Sequence, residues 1–156
     1  MVYITYIGDY HILVPATIIV SILFLKINQI KSSLLFIFMM GAVVPASKII
    51  KIIISRPRPS LNLISQGGYS FPSGHALSAF TFFIGLYIFS FEKIKYEHHI
   101  LYLISLSILT LIVSFSRIIL GVHYMTDLIG SFLLGGILIV FFSVLHQYIT
   151  LNNVHD

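Results

Sequence analysis

The run ILYLISLSILTLIVSFSRIILGVHYMTDLIGSFLLGGILIVFFSVLHQYI, residues 100–149, decides the fold. It contains two apolar stretches, about 100–120 and 127–149, joined by a tight turn through Gly121 and His123. Each is close to the roughly 20 residues that a membrane-spanning helix needs. The charged side chains in the run, Arg117 and Asp127, lie beside the turn, so two helices should cross a bilayer antiparallel and present polar groups at its edge.

Composition supports a membrane class for the rest. The chain is 58% hydrophobic and 9% charged, where a soluble domain carries about 25% charged residues. Further apolar runs lie at about 11–27, 33–54 and 75–91. The expected architecture is therefore an all-α bundle of five spans, forming one membrane-embedded domain over 1–156. Pro15 falls near the start of the first run, where proline costs a helix least. Residues 1–10 read as an interfacial lead-in, 55–72 as a loop rich in Pro, Ser, Gly and Asn, and 152–156 as a frayed tail. No basic segment with a small-residue cleavage site marks a signal peptide. A net charge of +4 is too sparse for a nucleic-acid surface, and cysteine is absent, so no thiolate site or disulfide is expected.

Three polar clusters sit at span edges: Lys51 to Pro59, Pro72-Ser73-Gly74-His75, and Ser116 to Asp127. With five alternating spans, all three fall on one membrane face. Lys26, Lys31, Lys93 and Lys95 fall on the other, so the positive-inside rule places the clusters outside the cytoplasm. Lys51, Arg58 and Arg117 suit an oxyanion. Ser73 and Gly74 open a helix whose N-terminal amides favour an anion, and His75 beside them could protonate a leaving oxygen. His123 and Asp127, four apart, share a helix face, so the carboxylate can fix the imidazole tautomer. Singly, each cluster has a plainer reading: a snorkelling lysine and interfacial arginines, a Ser-Gly helix cap, an i,i+4 polar pair. Two histidines and an aspartate could also ligate zinc, but the surrounding cations disfavour it, so neither metal nor other cofactor is expected. His98 and His99 read as a solvated link, and Gly130, Gly135 and Gly136 as sites of close helix approach.

Jointly, the clusters resemble the signature motifs of the type 2 phosphatidic acid phosphatase and vanadium haloperoxidase superfamily: K-x6-R-P at Lys51, Arg58 and Pro59, P-S-G-H at 72–75, and S-R-x5-H-x3-D at Ser116, Arg117, His123 and Asp127. The earlier pair Arg56-Pro57 does not fit that spacing. The resemblance, over about residues 5–149, implies a metal-independent phosphatase acting on a lipid phosphate or diphosphate. It implies His123 as the nucleophile forming a phosphohistidine, Asp127 as its orienting partner and His75 as the acid. It implies Lys51, Arg58, Ser73, Gly74 and Arg117 as phosphate-binding groups. Membrane members usually carry one more span ahead of the first motif. The chain therefore reads as a short member, or as one that begins after a first helix.

The expected activity is hydrolysis of an undecaprenyl-type diphosphate, phosphatidic acid, phosphatidylglycerol phosphate or a lipid A phosphate. It would take place at the outer face of a bacterial-type plasma membrane, with selectivity in the lipid-facing helices and the 60–71 loop. A lipid phosphotransferase and a non-catalytic lipid-phosphate scaffold are the rival classes. The oligomeric state is not readable.

Overall fold

A computed structural model describes residues 5–60, 63–64 and 66–152. Met1 to Ile4, the tail from Asn153, and Leu61, Asn62 and Ser65 of the loop expected to set selectivity lie outside the described residues. All regular structure among the described residues is helical: α1 (Tyr10–Lys26), α2 (Ile30–Ile54), α3 (Gly74–Ser90), α4 (His99–Ile119) and α5 (Met125–Asn152). Short 3-10 turns precede α1 at Tyr6–Gly8 and fill the α3–α4 link at Phe91–Lys93 and Tyr96–His98.

Counting the adjoining 3-10 turns with α3 and α4, the segments built on α2, α3, α4 and α5 are each long and apolar enough to cross a membrane. At 17 residues α1 is shorter, about 25 Å at 1.5 Å per residue against a hydrocarbon core of about 30 Å. The five expected runs thus become four long helices and one short apolar one. Pro15 lies more than a turn inside α1, and Pro45 lies inside α2. Each removes one backbone hydrogen bond, a loss that neighbouring helices make tolerable within a membrane.

α3 is the central helix, packed against α2, α4 and α5. Lipid is as apolar as a leucine side chain, so close packing rather than water exclusion holds such a bundle together. Phe36 of α2 is fully buried and meets Phe24, Phe82 and Phe89 edge-on at centroid distances of 6.0, 5.6 and 6.0 Å. Aromatic pairs of this geometry each contribute about 0.5–1.5 kcal/mol. A Cβ at Gly135 would come within 2.7 Å of Phe80 and 2.9 Å of the Thr81 hydroxyl, and one at Gly130 would enter the Phe71 ring. Both glycines are therefore points of close approach, as expected. Gly136 is not: a Cβ there meets nothing within 4 Å, and the residue lines an apolar groove on the outer face of α5. At the end of the bundle away from the clusters, Lys31 donates to the Ile149 carbonyl (3.1 Å) and Ser32 pairs with His146 (3.0 Å), tying α2 to α5.

Candidate active site

α2 ends where Ser55 takes a left-handed backbone (φ 48°) and the chain turns into Arg56-Pro57-Arg58-Pro59. Each proline biases the residue before it away from helix. In extended backbone, side chains two apart share a face. Arg56 and Arg58 accordingly reach the same pair of residues, one at each end. Arg56 Nη1 donates to Asp127 Oδ1 (2.9 Å), and Arg58 Nη1 approaches His123 Nε2 (3.3 Å).

His123 stands in the α4–α5 turn, which Gly121 makes possible with φ 69°. Its Nδ1 lies 3.2 Å from Asp127 Oδ2, and that oxygen also accepts from the Tyr124 amide (2.9 Å). A guanidinium can only donate, so Nε2 is the accepting nitrogen and Nδ1 carries the proton toward Asp127. Burial, then the charges of Arg58, Arg117 and Lys51, push the imidazole pKa from 6.5 down to about 2. Asp127 is fully buried and already paired with Arg56, so its charge does little to favour an imidazolium. The result is a neutral imidazole in one tautomer, with its basic nitrogen directed at a cation.

Ser73 precedes the first turn of α3, yet its side chain caps nothing. The plainer reading of Ser-Gly as a helix cap therefore fails. Among the described residues Ser73 Oγ is buried without a hydrogen-bond partner, and so is Nε of the buried Arg117. The other Arg117 nitrogens are engaged, Nη1 with Thr5 Oγ1 (2.6 Å) and Nη2 with the Gln66 side-chain carbonyl. Unpaired buried donors are costly, and two of them here belong to residues expected to hold phosphate. A Cβ on Gly74 would meet nothing within 4 Å, leaving the helix N-terminus open. The Ser131 hydroxyl lies 2.9 Å from the Ser73 carbonyl and 2.7 Å from that of Asp127, joining the starts of α3 and α5.

Lys51 is committed to the protein. Its amine donates to the carbonyls of Tyr69 (2.7 Å) and Pro72 (2.8 Å), holding the loop that leads into α3. Arg58 likewise binds the carbonyls of Gly67, Gly68 and Val122. A cavity of about 190 Å³ is lined by Lys51, Gly74, His75 and Asp9, while His123 is buried and only 4% exposed. That cavity shares Tyr10, Val43, Val44 and Ser78 with an apolar one of about 290 Å³ between α1 and α2.

The lead-in is not merely interfacial. Its turn packs against α3 and α4: a Cβ on Gly8 would strike Val113 at 2.5 Å, and the Gly8 carbonyl accepts from Ser78 Oγ (2.7 Å). This places Asp9 Oδ2 at 3.3 Å from His75 Nε2. Sequence reading passed over Asp9, Arg56, Thr5, Gln66 and Ser131. Asp9 and Arg56 each left a signal, one as a lone acid ahead of an apolar helix, the other as the partner arginine in a doubled Arg-Pro. Each histidine pairs with its own carboxylate, and no group of three His, Cys, Asp or Glu converges among the described residues. His99 packs against Phe91 (4.3 Å between centroids) rather than standing free, whereas His98 is exposed.

The PAP2 superfamily model matches residues 32–151. Phosphatidylglycerophosphatase B of Bacillus subtilis (strain 168) is 30% identical over 144 residues, which cover 90% of this chain and 70% of that protein. The crystal structure of a transmembrane PAP2-type phosphatidylglycerolphosphate phosphatase from Bacillus subtilis superposes with a TM-score of 0.87 at 28% identity, covering 95% of this chain and 75% of that one. With the family model spanning all three polar clusters, and the helices and site geometry described above, the chain belongs to the PAP2 superfamily, among its membrane lipid phosphatases.

Proposed function

We propose that this phosphatase hydrolyses the terminal phosphate of phosphatidylglycerol phosphate, or of a lipid phosphate of similar form, through a phosphohistidine at residue 123. The arrangement Asp127–His123–Arg58 carries the reading, because it supplies a neutral imidazole of fixed tautomer aimed at a cation. An entering phosphate dianion would take over Arg58, and the freed Nε2 lone pair would attack phosphorus. The Nε2–P bond forms as the bond to the lipid oxygen breaks, with His75 giving that oxygen its proton. Water then attacks phosphorus, its proton passes to His75, and the Nε2–P bond breaks to release phosphate. Ser73 Oγ, Arg117 Nε and the open Gly74 end of α3 would bind the equatorial oxygens, where charge develops. Lys51 would contribute its charge and the placement of the loop.

The substrate choice is supported by both Bacillus relatives, each a phosphatidylglycerol phosphate phosphatase by name. The cavity that Lys51, Gly74 and His75 line, meeting an apolar one between α1 and α2, also fits a phosphate headgroup joined to an acyl chain. We place the site on the extracytoplasmic face, from the lysine bias of the opposite links. An impermeant thiol label should react in intact cells with Leu63→Cys but not with Tyr96→Cys; the reverse pattern would sink that placement.

The test is phosphate release by the detergent-purified chain from a panel of lipid phosphates in EDTA, beside His123→Ala. Release should survive chelation, be fastest with phosphatidylglycerol phosphate and fall by about a thousandfold or more in the variant. Release that needs a divalent cation, or that survives in His123→Ala, would reject the mechanism. Transfer of the phosphoryl group to an added alcohol in place of water would favour the phosphotransferase class.

A further inference from the structure

The chain has five acidic residues, and two of them touch the two histidines of the site. Asp127 serves His123; the other is Asp9, outside every motif that the sequence displays. We propose that Asp9 is a positioning residue for His75, forming a second carboxylate–imidazole pair that orients the proton donor of the reaction. The proposal rests on the phosphatase reading above.

The geometry is specific. Asp9 Oδ2 lies 3.3 Å from His75 Nε2, and both side chains are 18% exposed, so water screens the pair weakly. With Nε2 engaged, Nδ1 is the ring nitrogen left to exchange a proton with the substrate. Asp9 is itself held firmly: its Oδ1 accepts from the His11 amide (2.9 Å) at the start of α1. The absent Cβ of Gly8 lets this backbone lie against His75, and Ser78 of α3 pins it through the Gly8 carbonyl. Imidazole oriented by a carboxylate keeps one tautomer and one ring plane through the cycle of giving and regaining a proton. The lead-in would thus complete the site, while Asp9 also caps α1.

A helix cap alone would predict something different, and Asp9→Asn separates the two. Asparagine caps a helix as well as aspartate does but carries no charge to orient or stabilise the imidazolium. Full-length wild type, Asp9→Asn, Asp9→Ala and His75→Ala are compared in detergent. Single-turnover rates are read with phosphatidylglycerol phosphate in mixed micelles and with p-nitrophenyl phosphate. The lipid alkoxide needs a proton to leave, whereas nitrophenolate does not. Asp9→Asn should unfold at the wild-type temperature, slow lipid cleavage about ten- to a hundredfold with little change in KM, and slow aryl cleavage far less. His75→Ala should show the same contrast more strongly. Equal slowing with both substrates, or none with either, would overturn the proposal. So would a loss seen only in Asp9→Ala together with a lowered unfolding temperature, which would leave Asp9 as a cap. An inactive wild type, by contrast, would count against the phosphatase reading and be recognised as such.

Discussion

At the scale of single residues, the site is a chain of charges threaded through one imidazole: Arg56, Asp127, His123 and Arg58, with successive contacts of 2.9, 3.2 and 3.3 Å. Asp127 is fully buried, and Arg56, one-third exposed, is its cationic partner. Arg56 also lies 4.1 Å from the centre of the Tyr124 ring. Removing one partner of such a pair strands a buried charge, at a cost of about 3–5 kcal/mol. Arg56→Ala should therefore lower both the unfolding temperature and the rate of phosphate release. Adding Asp127→Asn should restore most of the stability and none of the activity, since the carboxylate that fixes the His123 tautomer is then gone. Thermal circular dichroism and phosphate release on the two variants check this. A double variant as unstable as Arg56→Ala would mean that the arginine acts through packing on Tyr124 instead. Arg56 was hard to see in the sequence because spacing singles out Arg58. Only the extended Arg-Pro-Arg-Pro backbone brings both to one face.

At the scale of elements, α3 carries the site because it is gripped on three sides, and small residues set how near its neighbours come. Gly135→Ala should force α5 away from Phe80 and Thr81, costing about 1–3 kcal/mol. Gly136→Ala, facing an open groove, should be neutral or slightly stabilising through helix propensity. Equal unfolding temperatures for the two variants in detergent would contradict this packing. The helices themselves were legible, since each apolar run of about twenty residues lies within a few residues of an observed helix. Which glycine of an adjacent pair meets a neighbour was not, because apolar residues cover these helices all round and periodicity cannot assign a face. The lead-in was misread for a related reason. Its seat over His75 depends on Gly8 and on contacts with α3 and α4, which lie some seventy to over a hundred residues away in sequence.

At the scale of the whole molecule, four long helices and a shorter one bring groups from α2, α3, α4, α5 and the lead-in to one end of the bundle. Alternation of apolar runs anticipates that convergence. The pairings inside it, each site histidine with its own carboxylate, Arg56 with Asp127 and Arg58 with loop carbonyls, come only from the folded chain. The claim on which the rest depends is that His123 takes the phosphoryl group. Its most direct measurement is rapid quenching with lipid bearing a radiolabelled terminal phosphate, followed by peptide mapping of the labelled chain. A phosphohistidine at residue 123 predicts label that is lost in acid, kept in base and absent in His123→Ala. Label on another residue, or phosphate release at the wild-type rate by His123→Ala, would contradict it.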